Sequence, residues 1–183
     1  SRLLKASIII YAARILGAAE YGVFAYVLGL AGFFTIFADI GVNAILTRET
    51  ARNPKASSLY FTNAFWIKFC LLLITALLII FAAPYFSKIG DAKGLLIFVA
   101  VLTFFDGLRE LSIAFVRAKE KMELEALLVT ATNVAITIFG FIILYFATTA
   151  KALLITYAFA ASAGTIIGII YLREHFSKIF IFF

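Results

Sequence analysis

The stretch LYFTNAFWIKFCLLLITALLIIFAA, Leu59 to Ala83, decides the fold. About 20 mainly apolar residues in a helix cross a hydrocarbon core of about 30 Å. This stretch exceeds that length with a single charge inside it, Lys68. A membrane β-barrel would show segments of about ten residues with alternating polarity, and the chain has none. The reading is therefore a transmembrane helix.

Five further apolar stretches flank it. Leu3–Leu16 is the first and shortest, and Gly22–Leu46 precedes the quoted stretch. Gly94–Val116, Leu124–Ala147 and Ala152–Leu172 follow. The connections are short: Gly17 to Tyr21, Arg48 to Ser58 with Pro54, Pro84 to Lys93, Arg117 to Glu123, and Thr148 to Lys151. Connections this short make neighbouring helices antiparallel. The expected fold is all-α, a polytopic membrane bundle of about six helices. The first stretch, at about 14 residues, is short for a span. With Ser1 at the start and an apolar run at Phe176–Phe183, residues 1–183 read as part of a longer protein, its first helix truncated.

Composition agrees. Hydrophobic residues make up 64% of the chain and charged ones 14%, against about 45–50% and 25% in soluble domains. A soluble core of this size could not hide so much apolar surface. The net charge is +6, but its distribution explains it. Arg2, Lys5, Arg48, Arg52, Lys55, Arg117, Lys119, Lys121, Arg173 and Lys178 fall to one side of the bundle, and Arg14, Lys88, Lys93 and Lys151 to the other. The richer side is expected to be cytoplasmic, with both ends of the chain there. Basic loops beside anionic lipid account for the charge, and no nucleic-acid partner is implied.

Enzyme chemistry finds little to hold. There is no nucleophile elbow, no phosphate-binding glycine loop and no Ser/His/Asp set. The single cysteine, Cys70, reads as a small buried hydrophobe. His175, beside Glu174 and near Lys178, reads as interfacial, and one His with one Cys makes no metal site.

Polar residues at membrane depth are costly and usually functional. Gly22, Ala25, Gly29, Gly32, Ile36, Asp39 and Asn43 share one helix face. The small residues are expected to form a close-packing seam. Asp39 at its end either pairs with a cation near the membrane boundary or marks a polar spot in a central cavity. Asp106, Arg109, Glu110, Ile113 and Arg117 line one side of the fourth stretch. Two carboxylates beside one guanidinium leave a charge for a proton, a metal cation or a base such as Lys68 to match. That pattern suits a coupling-ion site. It also suits a helix end solvated by headgroups, because Arg109 lies roughly 12 Å from Arg117 and can snorkel. Lys68 sits deeper than most snorkelling lysines. Ala126, Thr130, Asn133, Thr137 and Gly140 form a hydroxyl–amide stripe suited to a sugar or to helix–helix adhesion. Ala160, Gly164 and Gly168 form a second close-packing seam.

Several of these residues carry a resemblance. The run Ala13-Arg14-Ile15-Leu16-Gly17-Ala18-Ala19-Glu20-Tyr21-Gly22-Val23-Phe24 resembles the first loop of the polysaccharide flippases of the multidrug/oligosaccharidyl-lipid/polysaccharide exporter superfamily. Ala38-Asp39-Ile40-Gly41 with Thr47-Arg48-Glu49 is similar to the end of their second helix. Arg117-Ala118-Lys119-Glu120-Lys121 looks like their fourth-to-fifth junction. The resemblance implies a two-lobed inner-membrane transporter of 12 to 14 helices that flips undecaprenyl-pyrophosphate-linked oligosaccharides for O-antigen, capsule or exopolysaccharide assembly. Residues 1–183 would be its N-terminal lobe, partnered by a C-terminal lobe or a second copy. It implies no enzyme activity and no cofactor, with proton or sodium coupling. The substrate would meet Lys68, Arg109, Arg48 and Arg14, with Asn43 and Asn133, and the coupling ion Asp39, Asp106 or Glu110. A multidrug extruder, a peptidoglycan-precursor flippase and a non-transporting assembly subunit are the rival readings.

Overall fold

The computed structural model describes residues 2–86 and 94–172, with side chains for 6–85 and 94–172. The described part is helical throughout: α1 (Arg2–Ala38), α2 (Val42–Arg52), α3 (Ser57–Leu77), α4 (Ala83–Phe86), α5 (Leu96–Ala118), α6 (Met122–Phe146) and α7 (Ala150–Tyr171). Among the described residues four stretches are long and apolar enough to cross a membrane by length and composition: Ala6–Ala38, which bends at Gly17, Pro54–Tyr85, Met122–Phe146 and Ala150–Tyr171. The 23-residue α5 is as long, but carries Asp106, Arg109, Glu110 and Arg117.

α1 is two legs folded at Gly17, whose φ of 73° and ψ of 174° are non-helical and open essentially only to glycine. A straight helix would hold Ile8 and Phe24 about 24 Å apart. Instead Ile8 packs beside Gly140 and Leu153, while Phe24 meets Tyr157, one turn further along α7, at 5.7 Å between ring centroids. The legs therefore lie side by side, and the described residues make six helical passes. Glu20, just past the fold, accepts the backbone N–H of Ala150 at 2.7 Å. That carboxylate meets an otherwise orphaned donor at the start of α7.

The second leg ends at Ala38, earlier than the apolar run through Leu46 implies. Gly41 takes a left-handed φ of 80° and α2 restarts behind it, so the apolar stretch holds a corner. α2 then continues through Arg52, into residues expected to form a connection. Pro54–Tyr85 is one long helix despite Pro84. The proline has no N–H and would break the ladder; a π-helical turn at Leu78–Ala82 precedes it and absorbs the mismatch.

Packing is layered. One apolar cluster, with Ile8, Phe24, Val27, Val99, Leu144 and Leu153, sits toward the Gly17 end. A second, with Leu46, Phe61, Leu111, Phe115 and Leu172, sits toward the opposite end. Between them α3, α5 and α6 present polar side chains. The outer face is apolar, with Phe33, Ile36, Phe81, Phe159 and Ile170 exposed, as lipid contact requires.

Two expectations about faces fail. Among the described residues the Gly22–Gly29–Gly32 stripe forms no packing seam: none of them lies within 4 Å of a Cβ built on any of the three. The leg buries the face of Phe24, Val27, Ala31 and Phe34 instead. Cys70 is exposed, because α3 buries Lys68 and Leu72 and turns Cys70 outward. The second seam holds: Gly164 and Gly168 are buried, and a Cβ on Gly164 would lie 2.6 Å from the Thr132 hydroxyl.

The charges divide between two ends. Thr47 donates to the Ala114 carbonyl at 3.2 Å and Lys121 reaches the Tyr171 hydroxyl at 3.4 Å. These contacts gather Arg48, Arg52, Lys55, Arg117, Lys119 and Lys121 at one end. Arg14 lies three residues from the Gly17 fold, and Lys151 sits over the Phe98 ring at 5.5 Å, at the other. The side chains of Arg2 and Lys5, and all of Lys88, Lys93, Arg173, Glu174, His175 and Lys178, lie outside the described residues.

Candidate functional site

A cavity of about 390 Å³ opens between the second leg of α1 and helices α3, α5, α6 and α7. Asp39, Lys68, Asp106, Arg109, Glu110 and Asn133 all reach it. A second cavity of about 360 Å³ adjoins it, shares Arg109, Glu110 and Asn133, and extends to Asn43, Arg117 and Glu125. Together they make a polar cleft that runs from mid-bundle to the basic end.

Lys68 lies near the middle of the Pro54–Tyr85 helix, 1% exposed, with its Nζ 3.4 Å from Asp39 Oδ1. An ammonium so placed needs a counter-charge, and Asp39 supplies it from the corner between α1 and α2. The same carboxylate accepts the backbone N–H of Asn43 at 3.2 Å and its side-chain amide at 2.9 Å. It thus satisfies a donor in the first turn of α2. Asn43 Oδ1 is buried, with no hydrogen-bond partner among the described residues.

On α5, Arg109 Nε donates to Asp106 at 3.0 Å, and a second guanidinium nitrogen bonds the same oxygen. Asp106 is 42% exposed, so this pair faces the open cavity. Glu110 borders both cavities, and among the described residues its carboxylate has no salt bridge or hydrogen bond. Asn133 is 4% exposed and borders both. Arg117 and Glu125 pair across the α5–α6 turn, with Nε 3.0 Å from Oε2.

Of the residues proposed from the sequence as substrate or ion contacts, seven converge here: Lys68, Asp39 and Asp106 on the main cavity, Arg109, Glu110 and Asn133 on both, and Asn43 on the second. Two do not. Arg48 is exposed and bonded to Glu49 at 2.9 Å, on the face of α2 turned away from the cleft. Arg14 is exposed near the Gly17 fold and lines neither cavity. Both are basic residues within the stretches that carry the family resemblance, and that placement does not bring them to the cleft.

Counting the charged groups on the two cavities gives four carboxylates (Asp39, Asp106, Glu110, Glu125) against three cations (Lys68, Arg109, Arg117). Each of the cations is paired, so the site is a set of internally matched charges with Glu110 left over. No group of His, Cys, Asp and Glu suited to a metal ion occurs among the described residues.

Over its whole length, residues 1–183, the chain matches the family model described as polysaccharide biosynthesis protein. It belongs to that family. No curated protein and no solved structure matches it. The chain is thus a membrane-embedded, all-α member of the polysaccharide biosynthesis family, with a charged cleft at membrane depth.

Sequence reasoning missed several parts of that cleft. Thr132 and Tyr157 line the main cavity, and Thr132 packs directly on Gly164. The spacing Thr132–Ile136–Gly140 could have flagged Thr132, since it is a helical stripe one residue off the Asn133 stripe. Of that second stripe Asn133, Thr137 and Gly140 are buried, whereas Ala126 and Thr130 face outward. The Arg117–Glu125 pair had a readable signal too: opposite charges flank a short turn.

Proposed function

We propose that this polysaccharide biosynthesis protein is a lobe of a flippase that carries lipid-linked oligosaccharide across the inner membrane. The observation that supports this most is Lys68, a buried ammonium at mid-bundle on a polar cavity that Arg109 also lines. A cation held there needs a reason, and a pyrophosphate linkage supplies one: Arg engages phosphate bidentately and Lys as a point charge. Undecaprenyl-pyrophosphate-linked sugar fits both the phosphate chemistry and the membrane setting, with the polyprenyl tail in lipid. Asn133 and the neighbouring hydroxyls suit the sugar. Transport proceeds by rocking of this lobe against a second, which exposes the cavity to each leaflet in turn. The end bearing Arg48, Lys55 and Arg117 faces the cytoplasm. Glu110, the unmatched carboxylate, is the group best placed to take a proton or sodium as the lobes move, with Asp39 and Asp106 beside it. The mechanism needs no covalent chemistry and no cofactor.

A multidrug extruder fits less well, because the main cavity has one aromatic, Tyr157, among five charged groups. The experiment uses the full-length protein in cells lacking their own flippase. Lys68→Ala and Arg109→Ala are each expected to abolish surface polysaccharide at normal protein level, and Lys68→Arg to retain part of it. If both alanine variants export normally, the cations serve structure alone and the proposal fails.

A further inference from the structure

We propose that Asp39 is an internal stand-in for the substrate's phosphate: its carboxylate occupies Lys68 in the empty protein and yields the lysine to the incoming anion. The inference rests on the reading that a phosphate group binds at Lys68. It goes further by assigning Asp39 to competition with the substrate, where the sequence offered a cation partner, a polar spot in a cavity or a coupling-ion site.

The two members of the pair differ in what they lose by parting. Lys68 is 1% exposed and Asp39 is its salt-bridge partner among the described residues. Glu110 shares this cavity but makes no salt bridge to Lys68, so parting from Asp39 costs the buried ammonium its ion pair, and another negative charge must take its place. Asp39 is 33% exposed and keeps two donors, the Asn43 backbone N–H and side-chain amide. It can therefore release Lys68 and remain satisfied by those donors and by water in the cavity. The Nζ–Oδ1 separation of 3.4 Å exceeds the roughly 2.7–2.9 Å of a strong charge-assisted bond, which leaves room for a better acceptor. Both residues line the same cavity, and a phosphate oxygen would reach Lys68 from that side, where Asp39 now stands.

The exchange also has a mechanical consequence. Asp39 sits at the corner where α1 gives way to α2, beside Gly41 in its left-handed conformation. Its bond to Lys68 ties that corner to α3. A substrate that takes Lys68 unties it, so occupancy of the cavity loosens the link between α2 and α3 at the end bearing Arg48 and Arg52.

The test measures binding of farnesyl pyrophosphate, with farnesol as the uncharged control, to the purified full-length protein in nanodiscs. Asp39→Asn keeps an acceptor for the Asn43 N–H and removes the competing charge. It should bind farnesyl pyrophosphate at least about fivefold tighter than the unaltered protein, with farnesol unaffected. Lys68→Met should weaken pyrophosphate binding, and Asp39→Asn should add nothing in that background. Unchanged or weaker binding by Asp39→Asn, with the unaltered protein binding normally, overturns the stand-in role alone. An unaltered protein that does not bind pyrophosphate overturns the phosphate reading and this inference with it. A second measurement leaves Asp39 in place. Spin labels at Ile40→Cys and Ile67→Cys, both exposed positions, on a Cys70→Ala background should move apart with farnesyl pyrophosphate and not with farnesol. A distance that pyrophosphate leaves unchanged counts against the proposal even if the asparagine variant misfolds.

Discussion

On α7, Ala160, Gly164 and Gly168 recur every four residues and all are buried; on the second leg of α1, Gly22, Ala25, Gly29 and Gly32 recur at steps of three and four and all are exposed. The patterns look alike in the sequence, yet one is a contact and the other is open space. The α7 seam faces α5 and α6, where Thr132, Arg109 and Ser112 come within 3.3 Å of a Cβ built on Gly164 or Gly168. The stripe on the leg faces outward, with Gly32 at the rim of the main cavity. Small residues permit a close approach, but whether a neighbour takes it depends on where the helix sits in the bundle.

The largest expected effect breaks the seam. Gly164→Leu would drive a branched side chain into Thr132 and Arg109, both on helices fixed by other contacts. Overpacking of this kind costs about 1–3 kcal/mol or more, and here it also distorts the cavity wall. The variant is expected to give no monodisperse peak on size exclusion after detergent extraction, while Gly29→Leu gives the same peak as the unaltered protein. If Gly29→Leu is lost and Gly164→Leu survives, the two faces have been assigned the wrong way round.

How much was legible follows from the same contrast. The six passes could be read because hydropathy is a property of the stretch itself. The Asp106–Arg109 pair could be read because residues three apart on a helix must meet. Which face of a helix finds a partner is set by other helices, and there the reading failed: the Gly22–Gly32 stripe and Cys70 were both expected inward. Lys68 was singled out correctly for depth, with Asp106 and Glu110 in view as its charge partners. Its partner is Asp39, for which pairing with a cation was one of two readings, though not with this one: the corner at Gly41 that brings the two together lies inside an unbroken apolar run. Glu20 bonding to Ala150 joins residues far apart in the chain, and no local spacing announces it.

Gly17 offers an intermediate effect and a third kind of glycine, required for its backbone and not for space. Nothing lies within 4 Å of a Cβ at this position, so sterics with neighbours would tolerate alanine. The backbone would not, since φ 73° with ψ 174° costs a residue with a side chain about 1–3 kcal/mol. Gly17→Ala should lower the Tm in detergent clearly, with Gly29→Ala as the control of identical chemistry. Equal Tm values for the two would show that the fold between the legs of α1 does not rest on that backbone conformation.

The smallest effect sharpens the comparison by changing sign. Gly29 is helical, exposed and without neighbours, so alanine there meets no clash. It reduces the backbone freedom of the unfolded chain, and a helical Gly→Ala change is worth about 0.5–1 kcal/mol. Gly29→Ala should therefore raise Tm slightly and leave surface polysaccharide unchanged. Gly32→Ala should raise it similarly, since its surroundings are equally open. Gly32 borders the cavity and its carbonyl accepts the Thr35 hydroxyl at 2.7 Å, whereas Gly29 does not border the cavity. Enlarging the side chain to leucine should then separate them: Gly32→Leu narrows the space beside Asp39 and Lys68 and lowers export at normal protein level, while Gly29→Leu exports normally. A drop in Tm for Gly29→Ala would mean that the stripe is packed against something in the membrane after all, and the distinction from α7 would fall.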